Sequence, residues 1–272
     1  MKEEYYFKHH GNPEITVALP GISKTDWSCV TRMEGINDAQ NKMQTHKFDI
    51  MPIKESDGSY KRFYKTIEWG KYEKIEENEI KTEDSIYYLT NIEDVIKAFF
   101  NTNKKFFFLD NETDIVGLIS IGNLNSKHVY LYLYNLVAQF EISLVNLIEK
   151  SGIDDLNLIA MFEKRTESKN SLDALKRYKE EDEKGLDHKF IEYIYLTDLA
   201  YIIKKKNLIQ NLGMNKNEFD KGISAINETI RKAIAHPNKS LIRNDKSIAD
   251  LNNALNRLNV ILESVNNYLS KL

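Results

Sequence analysis

The sequence predicts an α+β N-terminal part followed by an all-α helical bundle, and three observations predict it. Pro13, Pro20 and Pro52 are separated from Pro237 by a long interval, and after Gly122 only Gly152, Gly185, Gly213 and Gly222 remain. Helices can therefore run unbroken through the second half, while turns punctuate the first. A unit reading strand, helix, strand, turn, strand occurs twice before residue 125. At Val129 the apolar period lengthens from two to about 3.6 residues, the change from a half-buried strand to an amphipathic helix.

The first copy starts at Trp27-Ser28-Cys29-Val30, continues through a helix at 36–44, and enters a strand at 48–53. Ser56-Asp57-Gly58-Ser59 then makes a hairpin turn, because Asp-Gly tolerates positive φ, and a second strand follows near 62–67. The second copy repeats this with Ser85-Ile86-Tyr87-Tyr88, a helix at 92–100, a strand at 105–109, the turn Asp110-Asn111-Glu112 and a strand at 115–121. Phe106-Phe107-Phe108 reads as a strand buried on both faces.

In the second half, Leu133, Leu136, Val137, Phe140, Leu144, Leu147 and Ile148 form one stripe on a helix spanning 129–148. Residues 163–189 mix both charge signs and predict a solvated helix with i,i+4 ion pairs and a loop. A further helix is expected over 190–204. Ile223, Ile226, Ile230, Ala233 and Ile234 give the next helix a buried face, and Pro237 should stop it near His236. Arg231 and His236 then occupy its last turn and a half. The negative helix end would favour the imidazolium, suiting it to acid–base work near neutral pH. Ile248, Leu251, Leu255, Leu258, Leu262, Val265 and Leu269 make a narrow seam in the last helix, for bundle core first and a dimer interface second.

Bulk properties narrow the classes. A formal charge of -3 argues against a polybasic nucleic-acid binder. Cys29 is the single cysteine, which excludes a disulfide framework within the chain and a cysteine-cluster metal site, and fits a reducing cytosol. The charged start MKEEYYFKHH is unlike a signal peptide, and no run approaches the ~18 apolar residues of a membrane span, so a cytoplasmic location is expected. His9, His10 and His46 show no metal-ligand spacing. Residues 1–14 suggest no role.

The repeated unit resembles the CBS motif, which comes in tandem pairs. The resemblance rests on Asn37-Asp38-Ala39, Met43 and Phe48-Asp49-Ile50-Met51-Pro52-Ile53 in copy one. In copy two it rests on Ile92-Glu93-Asp94-Val95, Phe108-Leu109-Asp110 and Gly117-Leu118-Ile119-Ser120-Ile121-Gly122-Asn123-Leu124. It covers residues 15–127 and implies an adenine-nucleotide site in which a hydroxyl and a carboxylate hold phosphate and ribose. Gly117, Ser120 and Asn123 occupy the pattern, with Asn in place of Asp. In copy one Thr66 would play the part of Ser120, with Trp69 where the acid is expected.

Residues 128–272 resemble the HEPN helical domain, whose signature is Arg, four residues, then His. Here that is Arg231-Lys232-Ala233-Ile234-Ala235-His236, followed by Pro237. The resemblance implies a homodimer and metal-independent RNA cleavage, with no cofactor for catalysis. His236 would handle the proton of the ribose 2′-hydroxyl and Arg231 the phosphate charge. Glu141 would orient the arginine or form a structural ion pair with it. Lys232 departs from the polar residue that active members carry there. Together the two resemblances imply a nucleotide-regulated ribonuclease, a stress or phage-defence effector. The alternative is a non-catalytic nucleotide sensor whose helices dimerise or recruit a partner.

Overall fold

The protein is described here by a computed structural model covering residues 15–165, 167–185, 188–236, 238, 240–243 and 247–272. These residues fall into two units that divide between Val129 and Tyr130. The expectations placed on residues 1–14 and on Pro237 lie outside the described residues.

The first unit contains β1 (Ile22–Ser23), β2 (Val30–Thr31), α1 (Ile36–His46), β3 (Ile50–Lys54), β4 (Tyr60–Glu68) and β5 (Lys71–Glu79). It continues with β6 (Ser85–Tyr87), α2 (Ile92–Thr102), β7 (Phe106–Asp110) and β8 (Ile115–Ser120). The strands form two four-stranded sheets, ordered β2-β3-β4-β5 and β1-β8-β7-β6. In each copy the short first strand lies parallel to the strand after the helix, which in turn pairs antiparallel with the next. A parallel pair needs a crossover, and the helix supplies it. Lys47 and Asn103, both in the left-handed region, end α1 and α2 at equivalent points. The side chain of Asn91 opens α2 by accepting from the Glu93 amide at 2.9 Å.

Two cores follow from strand alternation. Val30, Met51, Ile53 and Tyr64 turn toward Ala39 and Met43 of α1. Ile50, Phe63 and Phe108 face the other way and join the two sheets, with Trp27, Phe106 and Leu118 packed around them. Phe63 meets Phe108 edge-on at 5.1 Å and Phe106 at 5.6 Å, the arrangement ring quadrupoles favour. The phenylalanine run thus serves both faces of β7. Gly117 has a local reason to be glycine: a Cβ there would lie 2.6 Å from the Ile22 carbonyl oxygen, where β1 crosses β8. Strand β5 was not expected. Six of the nine residues of its sequence KYEKIEENE are charged, as suits an edge strand, and Tyr72 and Ile75 pack inward.

In the second unit the stripe predicted on α3 (Lys127–Lys150) is buried from Leu133 to Ile148. By length and composition this helix is apolar enough to cross a membrane, yet its apolar stripe is spent on the bundle. Next come α4 (Asp155–Glu163), which was not predicted, and α5 (Lys169–Asp182), on which Lys176 and Glu180 form an ion pair of the expected i,i+4 kind. The helix expected over 190–204 is divided. Phe190–Tyr193 forms a 3-10 turn, Ile194 is extended, and α6 (Leu196–Lys205) starts afresh. Asp198 is the reason. Its side chain caps the helix at the Tyr195 amide and is buried against Arg165 at 2.7 Å, whose guanidinium lies over Tyr201.

The helix carrying the Arg231 motif begins as α7 (Lys216–Ala225), widens into a π turn over Ile226–Arg231, and closes with one α turn, Lys232–Ile234. It stops two residues short of the expected end, so His236 lies beyond the regular helix. The final helix α8 (Ile248–Leu269) uses its seam as bundle core: Leu251, Leu255, Leu258 and Val265 are buried, and Ile248, Leu262 and Leu269 are half-buried.

Candidate functional site

The sheet registers define where the two copies correspond. Val30 pairs with Ile53 in copy one and Ile86 with Leu109 in copy two, so β2-α1-β3 maps onto β6-α2-β7 with a shift of 56 residues. Beyond the turn, Ile53 pairs with Arg62 but Leu109 with Gly117, so the first hairpin is one residue longer. The shift there becomes 55. Ile50 pairs with Lys65 and Phe106 with Ser120, which makes Lys65 the counterpart of Ser120.

The expectation that Thr66 takes that part is therefore corrected. Thr66 is the counterpart of Ile121, as their matching amide bonds to the Asp49 and Lys105 carbonyls show. A one-residue slip in a strand turns a side chain to the other face. The Thr66 hydroxyl is buried and donates to Asp49 Oδ1 at 3.0 Å. Counting on from Lys65, Glu68 rather than Trp69 falls opposite Asn123, and it is an exposed strand residue paired with Lys71. Ser120 and Asn123 do meet. The amide and hydroxyl of Ser120 each donate to Asn123 Oδ1 at 2.8 Å, capping the 3-10 turn Ile121–Asn125. The two residues that the pattern assigns to a ligand therefore hold each other.

Two clefts lie at corresponding places. A charged cleft of about 440 Å³ combines Phe63, Lys65 and Thr66 with Glu83, Asp84, Lys104, Lys105 and Phe106 of copy two, and with Trp69, Glu79 and Lys81 at its rim. An aromatic cleft of about 230 Å³ combines Leu118 and Ser120 with Trp27, Ser28, Phe48, Asp49 and Ile50 of copy one, and with Trp69 again. By the shifts above, Lys104 corresponds to Phe48, Lys105 to Asp49, Phe106 to Ile50, Glu83 to Trp27 and Asp84 to Ser28. Each cleft is thus one copy's second hairpin strand closed by the other copy's helix–strand junction. Lys104 is held by Asp84 at 2.8 Å, and Lys65 by Glu76 at 3.1 Å. Register, not motif, would have located Lys65.

The helical unit has its own hollow, about 160 Å³, lined by Tyr134, Val137, Ala138, Glu141, Arg231, Ile234 and Ala235. Arg231 Nε donates to Glu141 Oε1 at 2.9 Å, and its guanidinium carbon sits 5.3 Å from the centre of the Tyr195 ring. The sequence named Glu141 as the arginine's partner, and the structure places the two together. His236 is exposed and is not among the residues lining this hollow. Lys232 reaches back to Glu228 at 2.7 Å. The π turn ends at Arg231, and such turns are frequent at functional sites. Among the described residues no cluster of three or more His, Cys, Asp or Glu side chains could hold a metal ion.

The architecture is thus a duplicated α+β unit with a pair of corresponding clefts, followed by a helical unit with an arginine hollow. No protein-family model matches the sequence. No curated protein matches it. Among solved structures, the crystal structure of CBSX2 in complex with AMP matches at 13% identity and a TM-score of 0.34, covering 43% of this chain and 97% of that one. At that score the likeness carries no argument.

Proposed function

We propose that the protein is an adenine-nucleotide sensor whose α+β unit is a tandem CBS-type module, residues 15–127, and whose helical unit, residues 128–272, is a HEPN-like output domain. The observation that carries the reading is the pair of corresponding clefts, each built from both copies. The charged cleft is the nucleotide site on this reading. Its volume suits a ligand of nucleotide size, Trp69 offers a stacking surface, and Lys65, Lys81, Lys104 and Lys105 supply cations for phosphate. Titration calorimetry with AMP, ATP and S-adenosylmethionine tests it. One of them should bind, and the double change Lys65→Glu with Lys105→Glu should weaken that binding by ten- to hundredfold, since a hydrogen bond to a charged group contributes ~1.5–3 kcal/mol. No heat from any of the three overturns the reading.

A second reading concerns the output and is favoured by the fixation of Arg231 between Glu141 and Tyr195. A guanidinium held this way is pre-oriented toward an anion such as an RNA phosphate. In a homodimer, the Arg231 and His236 of two subunits would meet in one cleft and cleave RNA without metal. RNA incubated with the protein in EDTA should be cut, with cyclic phosphate ends, and His236→Ala should leave it intact. Equal loss of RNA with both proteins removes the nuclease and leaves the bundle as a binding module.

A further inference from the structure

We infer that the aromatic cleft is a separate site for a small organic cation, a methylated ammonium, rather than a second nucleotide site. Three features of its lining carry this. Trp27, Phe48 and Trp69 line it with Ile22, Ile50, Pro52 and Leu118; Phe48 and Trp69 are open to solvent, where a cation can reach them, and aromatic faces attract cations. Two carboxylates, Asp26 and Asp49, line it against one ammonium, Lys47, so the lining carries net charge of the sign that repels phosphate. Its volume of about 230 Å³ is below the ~300 Å³ at which drug-sized pockets begin, which admits a head group but not a whole nucleotide.

Asp49 is the fixed element. Its Oδ1 accepts from the Thr66 hydroxyl at 3.0 Å and from the Gly70 amide at 2.6 Å, which orients the carboxylate without neutralising it. Among the described residues no cation pairs with Asp49 or Asp26. In the charged cleft the corresponding position is Lys105, so the same backbone site has opposite charge in the two copies. This inference does not rest on the nucleotide reading, because the two clefts share Trp69 alone and every charged side chain invoked here belongs to the aromatic one.

The chain has two tryptophans, and both line this cleft. Trp69→Phe leaves Trp27 as a reporter that touches the aromatic cleft and not the charged one. The full-length Trp69→Phe protein is titrated with choline chloride, with potassium chloride as the ionic control and 3,3-dimethylbutan-1-ol as the neutral, carbon-for-nitrogen isostere. The expected result is a saturable change of Trp27 emission with choline, at least tenfold weaker with the isostere and absent with the salt. Asp49→Asn, which keeps an acceptor for Thr66, should weaken choline at least tenfold. Asp26→Asn, which disturbs no buried bond, should weaken it by a smaller factor. No saturable response to choline, an equal response to the isostere, or unchanged affinity in both variants overturns the proposal. Calorimetry with AMP and with choline on the protein that keeps both tryptophans reports each cleft without altering Trp69, so failure of one reading is distinguishable from failure of the other.

Discussion

The two clefts of the α+β unit share a backbone plan and almost none of their chemistry. Lys104, Lys105, Glu83 and Lys65 in one correspond to Phe48, Asp49, Trp27 and Ser120 in the other. The positions that have kept their character are the apolar ones that hold the plan: Val30 and Ile86, Ile53 and Leu109, Tyr64 and Ile119. Cleft positions lie at strand ends and helix–strand junctions, where a side chain can change without disturbing the ladder. A duplicated fold is therefore free to diverge in what it binds while its halves stay locked together through Phe63, Phe106 and Phe108.

The strongest way to break this comparison is to remove what the clefts share. Phe108 is fully buried between the sheets, so Phe108→Ala should destabilise the α+β unit by about 3–5 kcal/mol and weaken AMP and choline binding together. Urea unfolding followed by Trp emission measures the first effect and titration the second. A loss confined to one ligand would show that the two clefts do not depend on the shared core.

A milder change sharpens it. Exchanging the distinguishing side chains of the charged cleft for those of its counterpart, Lys65→Ser with Lys105→Asp, should abolish AMP binding and leave the Trp27 response to choline within about twofold. Both positions are partly or fully exposed, so the stability cost should stay within about 0.5 kcal/mol per site. A loss of the choline response would mean that the clefts are coupled.

The smallest effect concerns acid. Glu34 accepts from Lys42 Nζ at 2.6 Å and from the amide and hydroxyl of Thr31, which hold its carboxyl down at about 2 from an ordinary 4.5. Copy two has Thr90 at the corresponding place and lacks this group. A depressed folded value means the stabilisation is fully present above about pH 4.5 and is lost as pH falls toward about 2. Glu34→Gln should therefore lower the melting temperature slightly at pH 7, where the stabilisation is complete, and flatten the acid limb of the profile over that window. Solvent screening keeps the change small.

The repeat was legible because its signal is local: a helix between two short apolar strands, then a hairpin turn. Glu141 as the partner of Arg231 was legible too, since one acid stood on the flank of the adjoining helix. Strand β5 was not, because its edge position removes the apolar alternation by which strands are recognised. The restart at Asp198 was hidden for a related reason. A buried carboxylate reads as a surface residue until Arg165, 33 positions away in sequence, is seen to pair with it.

What the sequence determined by itself is the duplication, the order of strand, helix and hairpin within each copy, and the change from strand to helix near Val129, because periodicity and turn chemistry act over a few residues. What only the tertiary structure decided is which residues share a cleft. The extra residue in the first hairpin moves Thr66 out of the place of Ser120 and puts Lys65 there, a one-position slip that a motif count cannot see and a pleated strand turns into opposite faces. The charge of each cleft follows from that slip and from pairings between distant segments.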